Sequence, residues 1–229
     1  WAGPVFLVLY ALSFLMAGYL PPHAPMLGAD EVSSFYELHR NQTRAGLVLC
    51  MIFSMLLFPW YAVIAVQMAQ IEGRFPVLAI MQFGAGTLLI VFFVVCSMFW
   101  IIAAWQPGLN PELLKLIHDG SWLIFVMVFP EYTLQLTCIA IVGFMDKREH
   151  PLLPRWACYL NLWAAFTGVG GGLAVFFKTG PFAWNGVIGF WLPVIFFTIW
   201  LFTMAVLLNR SIRQQAQSEA LAGAQGTHR

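Results

Sequence analysis

One acidic residue, Glu131, could carry chemistry, because it lies far from the ends of a long apolar stretch. The sequence has 10 acidic and 11 basic residues, and all the others fall between apolar stretches or at their edges. An ionised side chain at the centre of a membrane costs about 2.5–3.5 kcal/mol, so an intramembrane acid indicates function by default. Glu131 follows the helix-kinking Pro130, and Gln135 lies one turn further on the same face. We expect Glu131 and Gln135 to bind a ligand or carry a proton.

Glu131 also has a purely structural interpretation. A neutral glutamic acid can join two membrane helices by a hydrogen bond. The side chains that could serve as its partners in neighbouring apolar stretches are Gln82, Gln67 and Asn161. In both interpretations we expect the Glu131 side chain to face the interior of the protein.

A second polar group falls in two segments between apolar stretches, with Glu37 and His39 in one and His118 and Asp119 in the other. Two histidines and two carboxylates could hold zinc or another divalent ion, or form an acid–base pair. The HxxxH and HExxH spacings that mark metal sites do not occur here. We therefore expect no bound metal, and a membrane enzyme with a metal site of Glu37, His39, His118 and Asp119 is the third of three alternatives.

Other kinds of chemistry lack their required residues, so we expect no cofactor. A bis-histidine haem would need histidines inside two apolar stretches, and a retinal Schiff base would need a lysine there. No nucleotide-binding loop or nucleophile elbow occurs in the sequence. The glycines Gly168 and Gly172 form a GxxxG pair, which predicts close packing of two helices.

Six apolar stretches must position these residues. The chain is 61% hydrophobic and only 9% charged, whereas soluble domains are about 25% charged. About 20 apolar residues cross a bilayer as a helix. The six stretches cover residues 3–20, 45–70, 76–104, 121–145, 156–177 and 186–208. We predict an all-α integral membrane bundle of about six transmembrane helices, forming one domain over residues 1–209, with a polar, partly disordered tail over 210–229.

Two segments between the stretches have the pattern of short amphipathic helices. In residues 30–41, the apolar side chains of Val32, Phe35 and Tyr36 fall on one face. Residues 110–120 begin with Asn and Pro and end with Gly, which are helix start and stop signals. We predict that both segments are separate helices lying on the membrane surface.

The basic residues predict the direction of the chain in the membrane, since cytoplasmic loops carry more Lys and Arg. With six spans, one side carries seven basic residues and both termini, and the other side carries four. We expect cytoplasmic termini, and a bacterial inner membrane is our predicted location. The sequence begins at Trp1 without a methionine, so two interpretations of the first stretch stay open, a retained signal-anchor and an ordinary span.

The leading functional hypothesis is the binding or translocation of a small lipophilic or weakly acidic molecule. The chain contains 21 Phe, 10 Trp and 10 Met residues, which suit an apolar guest. The predicted site residues are Glu131, Gln135, Gln82 and Gln67. The alternative is a non-catalytic subunit of a larger membrane complex. The expected partners are membrane lipid, a lipophilic ligand, and a homo-oligomer or larger complex; the net charge of +1 indicates no nucleic acid.

Overall fold

The protein is a bundle of α-helices. The computed structural model describes residues 1–106, 108–148 and 151–226, except for the side chains of residues 215, 216 and 218–226. Within these ranges there is no strand, and the helices are α1 (Ala2–Met16), α2 (Ala29–Ser54), α3 (Leu57–Glu72), α4 (Val77–Trp105), α5 (Pro111–Val126), α6 (Phe129–Met145), α7 (Arg155–Leu173) and α8 (Leu192–Gly226). Five helical segments are long and apolar enough to cross a membrane, and α1 is a shorter apolar helix. The predicted all-α membrane bundle is confirmed.

Prolines follow the places where the helical segments are interrupted. Pro59 and Pro130 lie in the first turns of α3 and α6, just after the breaks that separate these helices from α2 and α5. Proline is tolerated there because the first N–H groups of a helix have no partner within it. A π-helical turn, Val187–Trp191, precedes Pro193 in α8. The breaks place Glu131 at the start of a helix, although the sequence suggested the middle of one.

The prediction of two separate surface helices is wrong. Residues 30–41 are the beginning of α2, and residues 111–120 are the beginning of α5, so each continues into a predicted span. No proline interrupts residues 41–45, and Thr43 donates a hydrogen bond to the Ala17 carbonyl at the end of α1. Val32 and Tyr36 are buried in a second small core instead of facing lipid headgroups.

Glycines bring α6 and α7 together, which confirms the predicted close packing. A Cβ atom at Gly168 would meet the ring of Tyr132, and one at Gly172 would meet the ring of Phe129. A Cβ atom at Gly171 would meet the carbonyl oxygen of Val126. These glycines fix α7 against α5 and α6, and α4 packs against α2, α3, α5 and α6.

Two charged side chains satisfy the ends of α4. The carboxylate of Glu72 accepts hydrogen bonds from the N–H groups of Leu78 and Ala79, at 2.9 and 2.7 Å. Arg44 donates to the carbonyls of Ala104 and Trp105, at 3.0 and 2.6 Å. Both contacts supply partners for backbone groups that a helix end leaves unpaired.

The last helix is longer than the predicted span. The sequence predicted that the span ends near residue 208 and that a partly disordered tail follows, whereas α8 continues as a helix to Gly226. Ser211 in this extension donates a hydrogen bond to Gln67 of α3 at 3.1 Å. The last three residues of the predicted tail lie outside the described ranges.

Candidate functional site

An apolar cavity lies inside the bundle where α1, α4, α5, α6 and α8 meet. Its volume is about 180 Å³. It is lined by Phe6, Leu7, Tyr10, Ala11, Phe14, Leu20, Leu89, Phe93, Phe125, Val128, Tyr132, Phe190, Pro193, Val194 and Phe197. None of these side chains carries a charge. The cavity therefore offers an environment for an apolar guest and none for an ion.

Aromatic rings form much of the wall. Phe125 packs against Phe14 and Phe93, with ring centroids 5.3 and 5.6 Å apart. Tyr10 packs against Phe93 at 5.5 Å. These separations are typical of favourable aromatic pairs. The rings of Phe14, Phe93, Phe125 and Tyr10 therefore pack against one another as one layer of the wall.

The two tyrosines of the wall contribute their rings, while their hydroxyl groups are buried. The oxygens of both Tyr10 and Tyr132 have no hydrogen-bond partner among the described residues. The Tyr10 hydroxyl lies near Ser97 and Cys50, on the side of α2 and α4. Tyr132 packs against Phe197, and its ring covers Gly168.

A group of buried polar side chains adjoins the cavity at Tyr132. We define the tyrosine–glutamine cluster as Tyr61 of α3, Gln82 of α4, and Tyr132 and Gln135 of α6. The Tyr61 hydroxyl lies close to the side chains of Gln135 and Tyr132. Gln82 lies one turn from Gly86, against which the Tyr61 ring packs. Within the described residues, the hydroxyls and both amide groups of this cluster lack partners with hydrogen-bond geometry.

Unpaired polar groups at this depth are costly. Tyr61, Gln82 and Gln135 have 0% exposure, and Tyr132 has 7%. Each buried donor or acceptor without a partner costs about 1–3 kcal/mol. The third buried glutamine, Gln67, does have a partner, because it accepts a hydrogen bond from Ser211. Asn161 likewise accepts from the Trp200 indole at 2.8 Å.

The predicted site residues therefore divide into three groups. Gln82 and Gln135 belong to the tyrosine–glutamine cluster on the facing helices α4 and α6. Gln67 is bonded to α8 instead. Glu131 is half-buried in the first turn of α6 and is not one of the residues that line the cavity. An acidic residue in the first turn of a helix is favoured by the positive end of the helix dipole, which is a structural reason for the presence of Glu131 at this position.

A separate hydrogen-bonded chain surrounds His118 at the end of the bundle where α5 begins. Trp122 donates its indole N–H to Nε2 of His118 at 3.1 Å. Nδ1 of His118 lies 2.9 Å from the Tyr36 hydroxyl, which in turn lies 2.7 Å from the Tyr19 hydroxyl. Because an indole N–H can only donate, Nε2 of His118 must be the unprotonated acceptor. The proton of the ring is then on Nδ1 and is donated to Tyr36.

His23 joins this chain from the loop between α1 and α2. Its Nδ1 lies 3.3 Å from Nε2 of His118, and its carbonyl accepts the indole N–H of Trp184 at 2.8 Å. Burial lowers the pKa of His23, the nearby His39 lowers it further, and a hydrogen bond to the Gly18 backbone opposes both. Sequence reasoning missed the pairing of His23 with His118, because 95 residues separate them and no spacing signals the contact.

The four residues of the considered metal site are not brought together. His118 is buried in the chain just described, and Asp119 forms a salt bridge with Lys115 at 2.7 Å. His39 is exposed and stacks on Phe35, and Glu37 is exposed. In the part of the chain that the structure describes, no group of three or more His, Cys, Asp or Glu side chains is arranged to hold a metal ion.

Comparisons with models of known protein families, with curated protein sequences and with solved structures find no match to this chain.

Proposed function

We propose that this protein binds a small lipophilic molecule within the membrane, in the aromatic cavity. The observation that carries the proposal is the lining: fifteen residues from five helices and their junctions line a partly open cavity of about 180 Å³, and none of their side chains carries a charge. Well-packed interiors have few voids larger than a water molecule. An engineered apolar cavity of about 150 Å³ stays dry and binds benzene. A cavity of this size and lining is therefore suited to one ring or a short branched hydrocarbon segment.

The cavity supports only part of the hypothesis drawn from the sequence. A lipophilic guest fits the lining, whereas a weakly acidic guest would need a cation or a hydrogen-bonding wall for its carboxylate. Glu131, which we expected at the site, does not line the cavity. We therefore centre the proposed binding on the aromatic wall and assign no role in it to Glu131.

Photolabelling with a competitor tests the proposal. The probe is pentylbenzene with a diazirine in its chain, added to the protein in lipid nanodiscs, and labelled peptides are identified by mass spectrometry. We expect labelling of Leu7 and Val194 that excess unlabelled pentylbenzene displaces. Displacement distinguishes probe bound in the cavity from probe dissolved in the surrounding lipid. The dissolved probe labels all exposed side chains, and this labelling does not saturate.

A matched pair of variants locates the binding. Ala11 lines the cavity, and its neighbour Leu12 is 58% exposed on the outside of α1. Ala11→Phe should fill the cavity and abolish the displaceable labelling, whereas Leu12→Phe should leave it unchanged. Equal labelling of both variants, or labelling that pentylbenzene does not displace, would refute binding in the cavity.

A further inference from the structure

The tyrosine–glutamine cluster lies directly beside the proposed ligand cavity. Tyr132 belongs to both, since its ring lines the cavity and its hydroxyl is part of the cluster. Gln135 follows Tyr132 by three residues on α6, a rise of about 4.5 Å along the helix. On α4, Leu89 lines the cavity, and Gln82 lies about two turns away. Tyr132 and Gln135, the members of the cluster nearest the cavity, are therefore within reach of a guest only slightly longer than the cavity.

Three features show that the cluster is built and is not an accident of packing. Gly86 and Gly168 lack side chains where the rings of Tyr61 and Tyr132 lie, so two helices make room for the two tyrosines. Both glutamines are completely buried, although an apolar side chain would cost nothing in hydrogen bonds at either position. The hydroxyls of Tyr61 and Tyr132 and the amide of Gln135 lie close together, and none of them has a partner with hydrogen-bond geometry among the described residues.

The chemistry of the cluster selects its ligand. Tyrosine hydroxyls and glutamine amides both donate and accept hydrogen bonds, and no member of the cluster carries a charge. A carboxylate or an ammonium group would be buried here without a counter-charge, which is strongly unfavourable. A neutral hydroxyl or carbonyl group would instead satisfy the unpaired atoms.

We propose that the tyrosine–glutamine cluster binds the neutral hydroxyl or carbonyl head of an amphiphile whose apolar part fills the aromatic cavity. This inference rests on the proposed function, because the cavity must first hold the apolar part. It names the ligand class as a lipophilic alcohol, phenol, ketone or quinone, in place of a pure hydrocarbon or a fatty acid.

Competition against the diazirine probe in nanodiscs tests this class. The competitors are pentylbenzene, 4-pentylphenol and 4-pentylbenzoate. The amount of each competitor is given as its concentration in the lipid, so that differences in partitioning between water and lipid do not affect the comparison. We expect 4-pentylphenol to displace the probe at about five- to tenfold lower concentration than pentylbenzene, since one neutral hydrogen bond contributes about 1 kcal/mol. The charged 4-pentylbenzoate should be the weakest of the three.

Variants test whether the cluster causes the stronger competition by 4-pentylphenol. We call the ratio of the displacing concentrations of pentylbenzene and 4-pentylphenol the advantage of 4-pentylphenol. Tyr132→Phe removes only the hydroxyl and keeps the ring of the cavity wall, and Gln135→Leu removes the amide. In both variants, 4-pentylphenol should displace the probe at a concentration less than about twofold below that of pentylbenzene. Gln70→Leu, at an exposed glutamine of α3, is the control and should keep the full advantage. Both cluster variants should fold, because they remove unpaired buried groups.

The outcomes separate the two proposals. If 4-pentylphenol and pentylbenzene compete equally in the wild type, the cluster holds water alone and this inference fails while the proposed function stands. An advantage that survives in both Tyr132→Phe and Gln135→Leu places the head elsewhere and also overturns it. If neither compound displaces the probe, the proposed function itself is wrong.

Discussion

At the scale of single residues, the environment decides what each polar side chain does. His118 and His39 are both histidines of the same end of the bundle, yet His118 is 1% exposed and bonded through both nitrogens, and His39 stacks on Phe35 at the surface. Gln135 and Gln67 are both buried; Gln67 accepts a hydrogen bond from Ser211 of α8, whereas Gln135 lies close to Tyr61 without hydrogen-bond geometry. Residue type alone therefore does not separate a structural from a ligand-binding role.

The chain of hydrogen bonds around His118 predicts a large stability effect there. His118→Leu leaves the Trp122 indole N–H buried without its partner and removes one of the two partners of the Tyr36 hydroxyl. The loss of the Trp122 partner alone should lower the free energy of unfolding by about 1–3 kcal/mol. The matched change His39→Leu should alter it by less than about 0.5 kcal/mol, because His39 is at the surface. Denaturant unfolding in detergent measures both, and equal stability of the two variants would contradict the assigned network.

Glu131 gives a second prediction at this scale. Since its carboxylate does not line the cavity, Glu131→Gln should leave the displaceable photolabelling by the pentylbenzene probe within about twofold of the wild type. The variant keeps the size of the side chain and one acceptor oxygen, and it replaces the ionisable group by a neutral amide. Complete loss of labelling in a folded Glu131→Gln protein would return Glu131 to the site, as the sequence first suggested.

At the scale of helices, short-range features hold the wall of the cavity. α6 supplies Tyr132 and Gln135, and its position depends on α7, whose glycines let the two helices approach. The loop after α6 is held by Asp146. Its carboxylate accepts from the Arg148 guanidinium at 2.8 and 2.7 Å and from the Leu152 N–H at 2.8 Å.

The packing of α7 is testable with one added methyl group. In Gly171→Ala, the new Cβ would overlap the Val126 carbonyl oxygen, and backbone cannot move aside easily. We expect a loss of about 1–3 kcal/mol of stability, as for overpacking in a tight core. Gly84→Ala is the control, because nothing lies within 4 Å of its Cβ position. Gly84→Ala should be neutral or stabilising, since Ala is the better helix former. Thermal unfolding in detergent measures both variants, and a Gly171→Ala protein as stable as Gly84→Ala would contradict the account.

Asp146 predicts a dependence of stability on pH. Burial alone would raise its pKa, but the hydrogen bonds from Arg148 and Leu152 outweigh burial and lower the pKa below its ordinary value. A carboxyl with a lower pKa in the folded state stabilises the protein above the unfolded pKa of about 3.9, and this contribution disappears as the pH falls through the folded pKa. Asp146→Asn should therefore be less stable than the wild type at pH 7, and the difference should shrink below about pH 4. Glu37→Gln, at an exposed position, should not show this pattern. Unfolding measured between pH 7 and pH 3 checks it, and a difference that is constant over this range would contradict the assignment.

At the scale of the whole molecule, the bilayer makes the helices predictable. Each of the six apolar stretches became helical because backbone groups in lipid must be paired within the segment. The breaks at residues 55–56 and 127–128 were less predictable, since Pro59 and Pro130 could kink one helix or begin another. The site was the least predictable part. Gln82 and Gln135 stood out as buried amides, whereas the cavity and the pairing of His23 with His118 depend on contacts between distant segments.

The orientation in the membrane remains a prediction from the basic residues, with both termini cytoplasmic. Single cysteines at Ser34 and Ser218 should differ in intact cells: an impermeant thiol reagent should modify only Ser34→Cys. The four native cysteines are buried, so they should contribute little background. Modification of Ser218→Cys alone would invert the orientation.

The central claim is that a lipophilic molecule occupies the aromatic cavity, and a structure of the protein in its native lipids tests it most directly. The protein should be extracted with its surrounding membrane, without detergent or added ligand, and its density determined by electron cryo-microscopy. We predict continuous non-protein density between Phe93, Phe125 and Phe197, extending toward Tyr132. A cavity that is empty, collapsed or filled by separate water peaks would contradict the account.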